Sequence, residues 1–198
     1  MKMNLEVNET PEVLRSKTMS VRLIGDSPLI SGRWSMNEDE IKRRGMGCPW
    51  IDFCDSLYWI SEKPEFPVDS DVEAASFGLP TKGIKNSVID AAYRIGIVLK
   101  KSALRGAFFL TGELCRIEGK PRVRMDMVIV GQSKPIRRIR SEFTKWATDI
   151  QIRYIPDKIT PNEIVELFNL AGEDCGIGEW RPKNNGDHGK FHVAVSGE

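Results

Sequence analysis

Long hydrophobic runs are what this sequence most lacks. Its longest apolar stretches, Gly106-Ala107-Phe108-Phe109-Leu110 and Met127-Val128-Ile129-Val130, fall far short of the ~20 residues needed to cross a bilayer, so no membrane span is expected. Residues 1–15 mix charged and polar side chains without an apolar h-region, which argues against a secretory signal. The four cysteines, at 48, 54, 115 and 175, show no C-x-x-C spacing. Reduced thiols in a cytoplasm fit them better than a disulfide framework. Histidine is scarce too, with only His188 and His192. They lie four apart, but the second falls in a strand-like stretch, so the pair shares no helical face. Cys48 and Cys54 are spaced too loosely to complete a zinc site with them. Neither a metal nor another cofactor is expected.

Net charge is nearly absent as well, at +1 from 29 Lys and Arg against 28 Asp and Glu in 198 residues. The balance hides a division. Residues 100–155 hold 13 basic and 5 acidic side chains, a net of +8, which leaves −7 for the other 142 residues. The middle of the chain therefore carries a cationic surface. The apolar fraction of 40% suffices for a sizeable core and excludes disordered and fibrous classes.

Residues 1–17 read as a loosely held arm. Residues 18–25 place Met19, Val21 and Leu23 on one face of a strand that stops at Gly25-Asp26-Ser27-Pro28. Residues 28–80 read as a long irregular insertion broken by five prolines, with a short charged helix near 37–44. Four of the eight Phe and three of the five Trp lie between 34 and 108, so part of it must be buried. A helix is expected after Thr81 as N-cap, with Ile84, Val88, Ala91, Ala92 and Ile95 on one face and Gly96 at its end. Residues 106–117 and 122–130, joined by Glu118-Gly119-Lys120-Pro121, predict a hairpin. Trp146, Thr148, Ile150, Ile152 and Tyr154 alternate with polar residues as a half-buried strand does. A second helix carries Thr160 as N-cap, Pro161 at N1, Glu163 completing a capping box, and Gly172 as stop. A last strand covers 191–195. No internal repeat is visible. The order β-α-β-β-α-β is that of the α+β ferredoxin-like (RRM-like) fold, here as one domain over 18–198 with the insertion at 28–80 and a projecting basic hairpin.

Two segments carry candidate chemistry. Residues 175–191 hold Gly176, Gly178, Gly186 and Gly189 with Trp180, Arg181, Lys183 and Lys190. Such glycines let backbone amides approach a phosphate, although the segment is neither a Walker loop nor a G-x-G-x-x-G turn, and an irregular turn with Trp180 as a core plug explains it equally well. The second segment gathers Arg116, Lys120, Arg122, Arg124, Lys134, Arg137, Arg138, Arg140 and Lys145 within thirty residues. These side chains suit a polyanionic backbone, or form a solvated face. His188 is the one candidate general base.

Three motifs together resemble the RAMP superfamily of CRISPR-associated proteins: Ser27-Pro28-Leu29-Ile30-Ser31-Gly32 after the first strand, Leu79-Pro80-Thr81-Lys82-Gly83-Ile84-Lys85 entering the first helix, and the glycine-rich loop before the last strand. Within it, the chain is similar to backbone subunits that polymerise along a guide RNA. It is similar also to small phage and prophage proteins ending in a Gly-x-Gly-x-Trp-Arg-Pro segment like residues 176–182. The resemblance covers residues 18–195. It implies a surface tracking single-stranded RNA, with Lys82 and Lys85 at the helix entry, Arg181, Lys183 and Lys190 in the loop, and Arg137, Arg138 and Arg140 on a projecting hairpin. The chain is shorter than most such subunits. Apart from Asp39 it offers no candidate for the acidic residue with which some relatives cut a target strand, and it has no histidine near the first helix. The resulting expectation is a cytoplasmic, non-catalytic binder of single-stranded RNA or DNA that oligomerises along its ligand. It would use those cations with Arg116, Arg122 and Arg124, and Trp180 or Phe191 for stacking. The alternatives are a metal-independent endoribonuclease using His188, and a phage interaction module that imitates a subunit of a host complex.

Overall fold

The structure is a computed structural model that describes residues 16–33, 48–98, 100–129 and 135–195. Most of the N-terminal arm, the charged segment at 37–44, Asp39 and Lys134 lie outside the described residues. Along the chain run β1 (Lys17–Gly25), β2 (Leu29–Ser31), α1 (Pro49–Ser56), α2 (Asp69–Ala74), β3 (Phe77–Pro80), α3 (Thr81–Arg94), α4 (Lys101–Arg105), β4 (Phe108–Leu110), β5 (Leu114–Glu118), β6 (Pro121–Val128), β7 (Ile136–Phe143), β8 (Ala147–Tyr154), α5 (Pro161–Asp174), a 3-10 turn (Pro182–Asn184) and β9 (Phe191–Val193). None of the described helices is long and apolar enough to cross a membrane.

The architecture is mixed α+β with antiparallel sheets. The main sheet has the order β3-β5-β8-β1-β9, with β4 also on β8. Its path β5-β8-β1-β9, with α3 before β4 and β5 and α5 between β8 and β9, is consistent with the ferredoxin-like expectation. Strict alternation makes β8 the central strand: Thr148, Ile150, Ile152 and Tyr154 are buried while Asp149, Gln151 and Arg153 are exposed. Helix α5 begins at the expected capping box, where the Thr160 hydroxyl accepts from the Glu163 amide at 3.3 Å and the Glu163 carboxylate accepts from the Thr160 amide at 2.8 Å. Ile164, Leu167, Phe168 and Ala171 then face the core, with the Phe168 ring 6.2 Å from that of Phe108.

Four expectations are corrected. Thr81 is not an N-cap but lies in the first turn of α3, its hydroxyl donating to the Gly112 carbonyl at 2.6 Å and its amide to Glu113 at 3.0 Å. Gly172 does not stop α5. It sits inside the helix because α5 crosses β9 so closely that a Cβ there would come 1.7 Å from the Phe191 carbonyl oxygen. The segment 28–80 is not simply irregular, since β2, α1, α2 and β3 form among its described residues, and Leu29, Ile30, Phe53, Cys54, Leu57, Val72, Phe77 and Leu79 are buried there. Finally, 106–117 and 122–130 do not pair with each other. Strand β5 joins the main sheet, where Cys115 and Ile117 are buried, and β6 pairs with β7 in a second sheet of order β2-β7-β6. Residues 119 and 120 carry the chain from one sheet to the other.

Candidate nucleic-acid interface

The register of β6 on β7 sets Arg122 opposite Glu142, Arg124 opposite Arg140 and Asp126 opposite Arg138. All are even-numbered, so one face of the second sheet carries them. Two arginines directly opposite repel, and carboxylates on every side resolve the conflict. Arg122 and Arg124 donate to Glu142 at 2.5 and 2.6 Å, and Arg124 Nε donates to Asp126 at 3.0 Å. Arg140 lies 3.1 Å from Glu179 and 3.5 Å from Asp126, and Arg138 donates to Glu179 at 3.5 Å. Four guanidinium groups thus share three carboxylates. Burial pushes the Glu142 carboxyl up, but the hydrogen bonds from Arg124 and Arg122 outweigh it and hold Glu142 below its usual range. Arg140 is 2% exposed, and burial lowers its pKa against the pull of Glu179. Its Nε and Nη1 have no hydrogen-bond partner among the described residues, so its ion pairs are contacts of charge alone.

Glu179 arrives from the glycine-rich loop, which is pinned to β2 where the Glu179 amide donates to the Ile30 carbonyl at 2.9 Å. The next residue, Trp180, has φ +53°, a conformation rare for a bulky side chain. It is held there by the His188 amide on its carbonyl at 3.0 Å and by the backbone of Gly186, where a Cβ would lie 1.8 Å from the Trp180 oxygen. The guanidinium carbons of Arg124 and Arg140 lie 5.0 and 5.2 Å from the centre of the indole, and His188 meets it edge-on at 6.0 Å. The residue remains 39% exposed and borders a cavity of about 310 Å³ lined also by Asn184, Asn185, Asp187 and His188. This arrangement offers an aromatic surface beside amide and carboxylate groups. The His188 ring touches Trp180 and, at 3.3 Å, Arg124.

The three motif segments converge. Ser31 and Gly32, Leu79, Pro80, Gly83 and Ile84 at the entry of α3, and Gly178, Glu179 and Arg181 of the loop line one cavity of about 290 Å³. Lys82, the second residue of α3, is exposed, and with Lys85 it lines a cavity of about 200 Å³ at Phe109 and Leu110. Other expected cations are engaged elsewhere. Lys85 donates to the Arg105 carbonyl at 2.9 Å and lies 4.4 Å from the Phe109 ring centre, and burial lowers its pKa. Lys183 pairs with Asp90, which also takes Lys101 at 2.5 Å, and Lys190 pairs with Glu173 at 3.0 Å. Arg181 donates to the Gly178 carbonyl at 3.4 Å. Arg140, expected on a projecting hairpin, is instead buried beneath Trp180. Phe191, the other expected stacking residue, is 1% exposed and cannot stack on a ligand. Lys82, Arg116 and Arg137 are exposed and form no ion pair among the described residues. Among those residues no group of three or more His, Cys, Asp or Glu is placed to hold a metal ion.

Residue reading alone missed Asp126, Glu142 and Glu179, the carboxylates that neutralise much of the basic run, and it missed Phe109. The strand alternation that buries Phe108 to 1% leaves Phe109 39% exposed, with Arg153 5.4 Å from its ring centre. The signal for the carboxylates was the shared parity of Arg122, Arg124 and Asp126 with Arg138, Arg140 and Glu142, legible only once β6 is paired with β7.

No family model matches the chain, and no curated protein does. Among solved structures, Cmr6 from Pyrococcus furiosus aligns over 91% of this chain and 98% of its own at 10% identity and a TM-score of 0.48. A chain of the Type III-B Cmr-beta complex bound to cognate target RNA aligns over 92% of this chain at 13% identity and a TM-score of 0.50. This chain spans about 60% of the length of that Cmr-beta chain. At 13% identity the likeness to the Cmr-beta chain is one of fold.

Proposed function

We propose that this chain binds single-stranded RNA as a RAMP-type subunit of a cytoplasmic ribonucleoprotein, of the CRISPR kind or a phage-borne relative, and cuts nothing itself. The observation that carries the reading is the convergence of residues 31–32, 79–84 and 178–181 on one cavity, beside a half-exposed tryptophan backed by two arginines. Phosphates are held by cations that remain exposed: Lys82, Arg116, Arg137, and the outer parts of Arg122 and Arg138, whose side chains are 62% and 44% exposed. Trp180 supplies a sequence-tolerant stacking surface. Copies of the chain, or other subunits, lie along the same strand. The endoribonuclease alternative is disfavoured because the contacts of the His188 ring are a guanidinium and an indole, while Lys183 and Lys190 are committed to Asp90 and Glu173.

The test is a filter-binding titration on unstructured RNA across salt. Each lost phosphate contact on a single strand reduces the slope of log K against log salt by about 0.7. Lys82→Ala, Arg116→Ala and Arg137→Ala together are expected to flatten it by about 2. Trp180→Ala is expected to weaken binding at every salt concentration. An unchanged slope in the triple variant refutes the assignment.

A further inference from the structure

The odd-numbered face of β6 is bare. Val123, Met125, Met127 and Ile129 are 43%, 53%, 66% and 68% exposed, in a row that becomes more open away from the base of the hairpin. The same face continues onto β7, where Ile139, Ser141 and Phe143 are buried. The face is uncovered along β6 and, on β7, at Arg137, which lies opposite Met127 and is exposed. Among the described residues β6 is also the edge of its sheet, and no backbone group of 121–129 hydrogen-bonds to anything but β7. An edge strand with unpaired amides and an exposed apolar row is a template for another strand.

The charges on β6 say which strand. When two copies of β6 are laid antiparallel about a two-fold axis at Met125, Arg124 faces the partner's Asp126 and Asp126 faces the partner's Arg124. Val123 faces the partner's Met127, and Met125 faces itself. Shifting the axis to Arg124 sets that arginine against its own copy, and shifting it to Val123 sets Arg122 against Arg124. An axis at Asp126 opposes two aspartates. An axis at Met127 pairs no opposite charges. Of these registers only the one at Met125 opposes unlike charges without also opposing like ones, and it places both apolar rows side by side on one face.

We propose that two copies of this chain pair through β6 in this register, joining their three-stranded sheets into one of six strands. The contact is isologous and closed, so it makes a dimer and no filament by itself. It does not rest on the RNA-binding reading and forms without nucleic acid.

The test uses the full chain freed of RNA by nuclease treatment. Light scattering at high micromolar concentration is expected to give twice the 22.4 kDa of the chain. Met125→Lys, at an exposed position, is expected to give a monomer with an unchanged circular-dichroism spectrum. In a Cys48→Ser background, which removes the exposed thiol, Met125→Cys is expected to form a disulfide-linked dimer under mild oxidation, because facing residues lie within disulfide reach. The background alone should form none. A monomeric parent protein, a dimer that survives Met125→Lys, or absence of the cross-link overturns the proposal. So does a monomer in which Met125→Lys alters only RNA affinity, which would give this face to the nucleic acid instead.

Discussion

Replacing Glu179 by alanine tests how the buried guanidinium of Arg140 is held. Arg140 is 2% exposed, and the Glu179 carboxylate at 3.1 Å is its nearest counter-charge, with Asp126 at 3.5 Å and the Trp180 ring centre at 5.2 Å. Removing one partner of a buried pair costs about 3–5 kcal/mol, because the remaining charge stays desolvated. Glu179 itself is 27% exposed, and Asp126 and the indole still face the guanidinium. The expected loss therefore falls just below that range, roughly 2–3 kcal/mol. For a chain of this length that corresponds to a fall in Tm of about 4–12 °C. Urea unfolding followed by tryptophan fluorescence measures it. The decisive comparison is the double variant Arg140→Met/Glu179→Ala, in which the orphaned charge is gone and an apolar side chain of similar reach fills its place. It should recover at least ~1 kcal/mol relative to Glu179→Ala alone. If the losses of the two single variants simply add, Arg140 is not a buried charge held by Glu179 and the reasoning fails.

Two further expectations concern packing and acid. Gly172→Ala should destabilise strongly, because its Cβ would sit 1.7 Å from the Phe191 carbonyl oxygen. Gly83→Ala, in the first turn of α3 with nothing within 4 Å, should be neutral or stabilising by up to ~1 kcal/mol. Thermal melts that rank the two alike would contradict the close crossing of α5 and β9. Glu142 and Asp90 both have pKa values depressed in the folded chain, where burial is outweighed by Arg124 and Arg122 in one case and by Lys101 and Lys183 in the other. Their stabilisation is present above the ordinary values of 4.5 and 3.8 and is lost as pH falls through the folded ones. Urea midpoints should thus drop steeply below about pH 4.5, and Glu142→Gln should make that drop shallower. An equally steep drop in the variant would refute the assignment.

What was legible in the sequence was local. The capping box of Thr160 and Glu163 and the alternation of β8 depend on neighbours within a few residues, and both stand in the structure. The misreadings depend on distant partners. Glu118-Gly119-Lys120-Pro121 has the composition of a hairpin turn, yet it links two sheets, because β5 finds β3 and β8 while β6 finds β7. Gly172 looks like a helix stop because nothing near it in sequence announces the crossing of β9. The basic run looked free because the carboxylates that answer it come from β6, β7 and the loop, as far away as residue 179. The candidate site was legible in its three motif segments, but the number of cations free to meet a ligand was not.

The long register of β1 on β8, from Lys17 opposite Tyr154 to Ile24 opposite Ala147, has a consequence for how the protein is made. Each of those pairs joins residues more than a hundred positions apart, so the chain must close a very large loop before its central ladder stabilises anything. During synthesis β1 emerges first and waits, its apolar side formed by Met19, Val21 and Leu23, until the ribosome has delivered the strand that covers it. The helices and the second sheet cannot substitute for that partner. Folding of this chain is therefore tied to the appearance of β8, and a stalled or truncated product that ends before residue 147 leaves the first strand without its principal neighbour and open to association with other chains.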